Sequence, residues 1–207
     1  MKILILGATG RVGQEVLTHA LSDGHDVTVL VRDKNKLSVD HQSVRLIEGN
    51  VLNPNDIQKA AECNDIIVSA LSTDGSTTLS EAMPLIIETM SQQGIKRIIT
   101  IGTAGILQSR TDKNLLRYQS NESKRRTTRA AEEHHKVYTM LKNSELDWTI
   151  ICPTYLPDGE RIGQYRVERD YLPENAVKIS VPDTADFVYD QISSDVFIQS
   201  RVGIGYW

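Results

Sequence analysis

The chain has 207 residues, and at about 100–200 residues per domain this length predicts a single domain. With 40% hydrophobic and 24% charged residues it is typical of a folded chain, and its formal net charge of -4 at pH 7 argues against nucleic acid or anionic lipid as a partner. No apolar run approaches the roughly 18 residues that span a bilayer. The two cysteines form neither a disulfide framework nor a metal-ligand cluster, so we expect reduced thiols, no metal and a cytoplasmic location.

Apolar runs alternate with segments of helical period along the chain. The predicted strands are Lys2–Leu6, Val27–Val31, Val44–Glu48, Asp65–Ala70, Arg97–Ile101, Trp148–Cys152 and Val196–Gln199. The predicted helices are Arg11–Leu21, Pro54–Ala61, Leu79–Gln93, Asn121–Asn143 and Thr184–Ile192. Residues 106–120 are expected to be a loop that can include a short helix, and residues 153–163 are expected to be a long loop. This alternation predicts an α/β fold with a doubly wound parallel sheet, the Rossmann fold.

The strongest local signal is the segment from Gly7 to Gly13, which follows the first predicted strand and opens the first helix. Its glycine spacing suits a dinucleotide: Gly7 allows a tight turn, Gly10 lets the backbone approach a pyrophosphate, and Gly13 lets the helix pack close to the strand. The free N–H groups and positive dipole end of the helix attract the anion. A tight turn without a ligand is the alternative. The predicted cofactor contacts in this segment are Gly7, Thr9, Gly10, Arg11, Val12 and Gly13.

The second predicted strand is followed by Arg32 and then Asp33. An acidic residue at this place favours NAD, whereas an arginine accommodates the 2′-phosphate of NADP. Because the residue directly after the strand usually points into the adenosine pocket, we expect NADP(H) to be preferred, with Arg32 on the 2′-phosphate and Arg11 as a helper. NAD(H) stays open as a cofactor, and a solvated strand-end charge is the alternative for Arg32.

Four segments together resemble a known family: the Gly-rich segment, Val29–Asp33, Asp65–Leu71 and Trp148–Pro153. The sequence resembles an atypical short-chain dehydrogenase/reductase, and more narrowly the NAD(P)H-binding family that includes flavin reductase/biliverdin reductase B and the NmrA-like proteins. The resemblance runs nearly end to end. It implies further cofactor contacts after the third and fourth strands, at Asn50, Val51, Ala70 and Leu71; a place in the core alone is the alternative for Ala70 and Leu71. Pro153 and Thr154, after the sixth strand, are expected near the cofactor because that end of a doubly wound sheet faces the ligand crevice.

The same resemblance implies candidate catalytic residues. Ordinary members use a Ser or Thr, and a Tyr and a Lys four residues apart on a helix. Thr103 matches the hydroxyl position, while Ala130 and His134 stand where the Tyr and the Lys are expected. His134 is the second catalytic candidate, either orienting the nicotinamide ribose or acting as an acid; a helix histidine without a chemical role is the alternative. Glu133 is expected to be a surface carboxylate.

Two functional hypotheses follow from these residues. The first is an NADPH-dependent oxidoreductase that passes hydride to a flavin-, quinone- or biliverdin-like small molecule. The second is a non-catalytic NADP(H)-binding sensor, which the missing tyrosine at Ala130 favours. In both, residues 1–207 form one dinucleotide-binding domain with a small acceptor-side region at about 153–207, where Tyr155 either stacks on the acceptor or packs the loop. The sequence leaves open whether the protein is a monomer or a dimer.

Overall fold

The strands and helices follow one another in the alternating order that the sequence predicts. The computed structural model describes residues 1–73, 75–123 and 127–207. The strands are β1 Lys2–Leu6, β2 Asp26–Val31, β3 Arg45–Glu48, β4 Ile66–Ser69, β5 Arg97–Ile101, β6 Asp147–Pro153, β7 Arg166–Arg169 and β8 Ser200–Gly205. The helices are α1 Arg11–Ser22, α2 Pro54–Ala61, α3 Thr78–Gln93, α4 Arg129–Lys142 and α5 Val181–Asp190.

The strands form a single sheet in the order β3-β2-β1-β4-β5-β6-β8-β7. Neighbouring strands are parallel except for the antiparallel pair of β7 and β8 at one edge. Helices α2, α3 and α4 pack on one face of the sheet, and α1 and α5 pack on the other. The protein is therefore a single-domain α/β protein with a Rossmann-type sheet, as predicted.

The order of the strands reverses between β1 and β4, which are neighbours in the sheet but far apart in the chain. In open α/β sheets, ligands bind in the crevice that opens at the carboxyl ends of the strands at such a reversal. Both strands carry apolar side chains on both faces, which suits their position between two layers of helices. The architecture thus points to the crevice beyond β1 and β4 as the place for a ligand.

Four predictions for individual elements were wrong. Helix α4 begins at Arg129 rather than at residue 121; residues 124–126 of the predicted helix lie outside the described residues. Helix α5 begins three residues earlier than predicted, because Ser180 caps its N-terminus by accepting a hydrogen bond from the backbone N–H of Asp183. The last strand is Ser200–Gly205 and not Val196–Gln199. Strand β7 was not predicted at all.

Candidate functional site

The Gly-rich turn, residues 7–13, joins β1 to α1 with very little free space. Gly7 has a φ of +82°, and a Cβ atom built on it would lie 2.5 Å from the carbonyl oxygen of Ala70. A Cβ on Gly13 would lie 2.1 Å from the carbonyl oxygen of Gly7. The backbone N–H of Gly10 donates to that same oxygen over 2.9 Å. Two of the three glycines are therefore required by the packing of the protein itself.

Gly10 differs from the other two glycines. It is exposed, its φ of -85° suits any residue, and a Cβ on it would come no closer than 3.3 Å to the carbonyl oxygen of Gly7. Gly10 is the N-cap residue of α1, and no side chain caps this helix end. The N–H groups of the first turn are thus presented at the crevice, which is the arrangement that binds a diphosphate.

The end of β4 supplies an unsatisfied polar group beside this turn. Ser69 is 1% exposed, and its Oγ has no hydrogen-bond partner among the described residues. Ala70 and Leu71, which follow it, are partly buried, and the backbone N–H of Ala70 donates to the carbonyl of Leu6 over 2.8 Å. Buried polar atoms without a partner are rare in folded proteins. A bound dinucleotide with its many polar atoms fits this end of the crevice.

The residues after β2 and β3 lie at the carboxyl ends of these two neighbouring strands, on one side of the crevice. Arg32 is exposed, whereas the carboxylate of Asp33 accepts hydrogen bonds from the backbone and the side chain of Asn35, each over 3.0 Å. The side-chain oxygen of Asn50 accepts from the backbone N–H of Leu52 over 3.0 Å, and Val51 is buried. The carboxylate of Asp33 is therefore engaged within its own loop, and Arg32 is an exposed residue directly after β2.

A cavity of about 840 Å³ opens beyond the carboxyl ends of β5 and β6. We call it the strand-end cavity. Thr103, which follows β5, and Thr154 and the exposed Tyr155, which follow β6, contribute to its wall; Pro153 is buried at the end of β6. The Oγ of Thr103 accepts a weak hydrogen bond of 3.5 Å from the backbone N–H of Gly105. The remaining lining comes from Ala104, Gly105, Arg117, Tyr118, Glu122, Ser123, Thr127, Thr128, Ala130, Ala131, Leu172, Ala176 and Val177.

Helix α4 brings Ala130 to this cavity but not His134. Among the described residues that line it, the helix contributes Ala130 and Ala131, and His134 lies one turn further along, partly buried. Burial lowers the pKa of His134 to about 4, although the negative charge of Glu133 acts in the opposite direction. The His134 ring is therefore neutral at pH 7. Of the two roles that the sequence allows for it, a neutral ring suits orientation better than acid catalysis.

Glu133 is not the surface carboxylate that the sequence predicts. It is 3% exposed, since α4 packs this side chain against α3. One carboxylate oxygen accepts from Oγ of Ser80 over 2.7 Å and the other accepts from Nζ of Lys136 over 2.6 Å. Burial alone would raise the pKa of Glu133, but these two partners bring it below its ordinary value. The carboxylate is thus a buried anion that holds two helices together.

Sequence reasoning also missed a tyrosine–histidine pair at the strand-end cavity. The hydroxyl of Tyr118, a lining residue, lies 2.9 Å from Nδ1 of His135 on α4, and both side chains are partly buried. Tyr118 comes from a short 3₁₀ turn at Arg117–Gln119, inside the segment that the sequence predicts as a loop with room for a short helix. Because a loop has no periodicity, nothing in the sequence indicated which way Tyr118 would face.

The described residues were also compared with the requirements of a metal site and of a membrane-spanning helix. Within residues 1–73, 75–123 and 127–207, no three His, Cys, Asp or Glu side chains lie close enough together to hold a metal ion. In the same part of the chain, no helix is both long and apolar enough to cross a membrane. Cys63 and Cys152 are both free thiols, and complete burial raises the pKa of Cys152 to about 12.

The sheet order, the Gly-rich turn at the strand reversal and the open end of α1 together define a dinucleotide-binding α/β protein. Residues 7–195 match the model of the NAD(P)H-binding family, and the chain belongs to this family. The match covers most of the chain and includes both the Gly-rich turn and the strand-end cavity. It confirms the resemblance on which the predicted function rests.

One relative from Bacillus subtilis and two solved structures resemble the chain over nearly its full length. The uncharacterized protein YwnB of Bacillus subtilis is 29% identical over 194 residues, which cover 90% of this chain and 88% of YwnB. A "putative NADH-flavin reductase" from Streptococcus pneumoniae has a TM-score of 0.82 at 22% identity and covers 100% of both chains. A short-chain dehydrogenase/reductase (wide type) from Veillonella parvula, solved in complex with NADP, has a TM-score of 0.81 at 20% identity, over 99% of this chain and 94% of that one.

Proposed function

We propose that this protein is an NADPH-dependent reductase whose acceptor is a flat conjugated molecule of flavin, quinone or biliverdin type. The observation that carries the proposal is the position of the strand-end cavity relative to the Gly-rich turn. The turn follows β1, and the cavity lies beyond β5 and β6, two and three strands away. At about 4.8 Å between strands, this is roughly 10–15 Å. A dinucleotide with its diphosphate on the turn and its nicotinamide toward β5 spans such a distance.

The bound cofactor would supply the chemistry itself, a hydride from the nicotinamide, while the protein binds, orients and shields the reactants. In this proposal, the N–H groups of Thr9, Arg11 and Val12 hold the diphosphate, and Gly10, whose own N–H donates to the carbonyl of Gly7, lets the backbone approach it. Asn50, Val51, Ala70 and Leu71 surround the adenosine, and Pro153 and Thr154 contact the nicotinamide side. Thr103 lines the cavity where the acceptor binds, and neutral His134 orients neighbouring groups.

The preference for NADP(H) over NAD(H) is also part of the proposal. Its support is the exposed Arg32 at the end of β2 beside an Asp33 that is engaged by Asn35. A guanidinium pairs well with a 2′-phosphate, while the carboxylate that would select NAD is already used within the loop. The Veillonella parvula structure in complex with NADP is consistent with this assignment.

A second function, a non-catalytic NADP(H)-binding sensor, is favoured by one observation. Ala130 lines the strand-end cavity at the position where the family's catalytic tyrosine is expected. A methyl group cannot donate a proton, so a protein that relied on this position alone would bind the nucleotide without turning it over. The same Gly-rich turn and Arg32 would serve such a sensor equally well. A cytoplasmic location and a small-molecule partner are expected for either function.

Purified protein separates the two functions in one experiment. Calorimetry with NADPH, NADP⁺, NADH and NAD⁺ measures binding, and loss of nicotinamide absorbance with a panel of flavins, naphthoquinones and biliverdin measures turnover. We expect micromolar binding of NADPH and oxidation by at least one acceptor. Binding without oxidation across the panel would favour the sensor, and no heat with any of the four nucleotides would refute both functions. A Gly10→Asp variant, with a side chain and a negative charge at the diphosphate position, is the matched control for nucleotide-dependent signals.

A further inference from the structure

The wall of the strand-end cavity includes a tyrosine that belongs to no known motif of the chain. Tyr118 lines the cavity together with Thr103. Gly105 lies between them: a Cβ built on Gly105 would be 3.4 Å from Cβ of Tyr118 and 3.6 Å from Cγ2 of Thr103. It would also be 3.0 Å from Cβ of Ala131. Gly105 therefore lets the tyrosine approach the end of β5, where the acceptor is proposed to bind.

The tyrosine is held by a group that can exchange protons with it. Its hydroxyl lies 2.9 Å from Nδ1 of His135, and the two rings meet edge to face with centroids 5.8 Å apart. His135 in turn stacks on Tyr138, whose ring is covered by the guanidinium of Arg201 at 4.3 Å. Burial, followed by the charge of Arg201, lowers the pKa of His135, so that its ring is neutral at pH 7. Burial and the charge of Glu132 raise the pKa of Tyr118, so that its hydroxyl keeps its proton.

A neutral histidine has one N–H and one bare nitrogen, and which nitrogen carries the proton decides the role of the pair. If Nδ1 carries it, Nδ1 donates to the oxygen of Tyr118 and the phenol O–H is directed to another acceptor. If Nε2 carries it, the phenol donates to Nδ1 and its proton is not offered to the cavity. Only the first arrangement makes Tyr118 a proton donor.

We propose that Tyr118 is a catalytic residue that protonates the carbonyl oxygen of a quinone-type acceptor, with His135 as the positioning residue that returns the proton to it. This inference rests on the proposed reductase function. In it, Tyr118 is the proton donor in place of the tyrosine that is missing at Ala130. The pair differs from the family's usual arrangement because the tyrosine comes from the 3₁₀ turn before α4 rather than from the helix itself.

The proposed step is balanced without any further reagent. The quinone receives two electrons and one hydrogen as hydride from NADPH, and the Tyr118 O–H bond breaks as its proton goes to a quinone oxygen. The phenolate then takes the proton from Nδ1 of His135, while Nε2 takes one from solvent water. The hydride goes to the second quinone oxygen, so its hydrogen and the Tyr118 proton are the two that the quinone gains. NADPH and one proton from solvent, which replaces the Tyr118 proton through His135, thus convert the quinone to the hydroquinone.

The test compares the wild-type protein with Tyr118→Phe, His135→Asn and a matched control, Tyr171→Phe. Tyr171 is a partly buried tyrosine outside the cavity lining, with Arg110 over its ring. The asparagine amide nitrogen replaces Nδ1 as a donor but cannot pass on a proton. For each protein, kcat and KM are measured with NADPH and a soluble naphthoquinone in H₂O and in D₂O, and calorimetry gives the Kd for NADPH.

We expect Tyr118→Phe to lower kcat by roughly a hundredfold, the usual contribution of a general acid, and to abolish the solvent isotope effect. His135→Asn should lower kcat less, and Tyr171→Phe should change nothing. KM and the Kd for NADPH should stay the same in all variants. Equal kcat and equal isotope effects in the wild type and Tyr118→Phe would overturn the inference while the reductase function stands. No oxidation by the wild-type protein would refute the reductase function and this step with it.

A measurement without nucleotide or turnover tests the pair independently. The ¹⁵N chemical shifts of His135 in the labelled wild-type protein at pH 7 report which nitrogen is protonated, with the His135→Asn spectrum identifying the signals. We expect a protonated Nδ1 whose shift changes in Tyr118→Phe. A protonated Nε2 in the wild type would direct the phenol proton toward the histidine and would overturn the assignment, even if the phenylalanine variant fails to fold.

Discussion

Arg11 and Asp158 form an ion pair of 2.8 Å that joins the Gly-rich turn to the loop after β6. The same guanidinium nitrogen donates to the carbonyl of Leu156 over 3.1 Å. Arg11 is the first residue of α1, so this contact links the start of that helix to the loop. The sequence predicts Arg11 as a helper on the 2′-phosphate, and in the structure its side chain is paired with the loop after β6.

The Arg11–Asp158 pair is expected to restrain the loop rather than to stabilise the fold. Both side chains are more than half exposed, and exposed pairs contribute only about 0–1 kcal/mol. Asp158→Asn should therefore leave the melting temperature nearly unchanged and should speed amide hydrogen exchange in residues 154–163. Glu160→Gln, in the same loop, is the control. Unchanged exchange in Asp158→Asn would mean that the pair does not hold the loop.

The three glycines of the turn should respond differently to alanine. Gly13→Ala forces a methyl group against the Gly7 carbonyl, so we expect a loss of at least about 1–3 kcal/mol of unfolding free energy. Gly10→Ala meets only a 3.3 Å contact and should stay folded, yet its methyl group would keep a diphosphate from the backbone. Urea unfolding and calorimetry with NADPH check the two variants. Normal NADPH binding by Gly10→Ala would contradict a diphosphate at this position.

Arg32→Ala should discriminate between the two pyridine nucleotides. A charge-assisted hydrogen bond to a 2′-phosphate is worth about 1.5–3 kcal/mol, so NADPH binding should weaken by about tenfold to a hundredfold while NADH binding stays the same. Calorimetry with both nucleotides gives the ratio. Arg45→Ala is the control, because Arg45 pairs with Glu62 and begins β3, at the opposite end of that strand from the crevice. An equal loss for NADPH and NADH would remove Arg32 from the 2′-phosphate.

Glu133→Gln should destabilise the protein in a pH-dependent way. The folded protein holds the pKa of Glu133 below its ordinary value, so its charged form adds stability above about pH 4.5 and this stability is lost as the pH falls. At pH 7 we expect the variant to lose about 1–3 kcal/mol of unfolding free energy, because the amide cannot pair with Lys136. The difference should shrink as the pH falls through the lowered pKa of Glu133 in the folded protein, because the wild-type side chain then loses its charge as well.

Urea titrations at pH 7, 5 and 3.5 measure this difference. Glu132→Gln is the control, since Glu132 lies next to Glu133 on α4 but is exposed. A constant difference at all three pH values would show that the charge of Glu133 is not what stabilises the contact between α3 and α4.

The strands in the middle of the sheet could be predicted from the sequence, whereas those at one side could not. β1, β4 and β5 are apolar on both faces, and such runs are recognisable without any knowledge of their neighbours. β8 contains Gly203, which the sequence gives no reason to place in a strand. The structure provides the reason: a Cβ on Gly203 would lie 2.1 Å from the carbonyl oxygen of Tyr171, so only glycine lets the backbone at Tyr171 lie this close to β8. β7 is a short charged edge strand without an apolar pattern.

The candidate site likewise contains residues that could be predicted from the sequence and residues that could not. Gly13 is explained by its contact with Gly7, six residues away, and Gly7 by its φ of +82° in a tight turn, the roles that the glycine spacing predicts. Tyr118 and His135 lie 17 residues apart and meet only because the 3₁₀ turn packs against α4. Contacts of this kind depend on the tertiary fold, and no spacing rule in one sequence indicates them.

The two thiols of the chain differ in a way that can be used in the laboratory. Cys152 is enclosed in the core and has a raised pKa, so alkylating reagents should not reach it in the folded state. Cys63 is exposed and precedes β4, at the opposite end of the sheet from the crevice. A maleimide dye would therefore attach at one defined place on the unmodified protein, and its emission could report tumbling or self-association while the crevice remains open to small molecules.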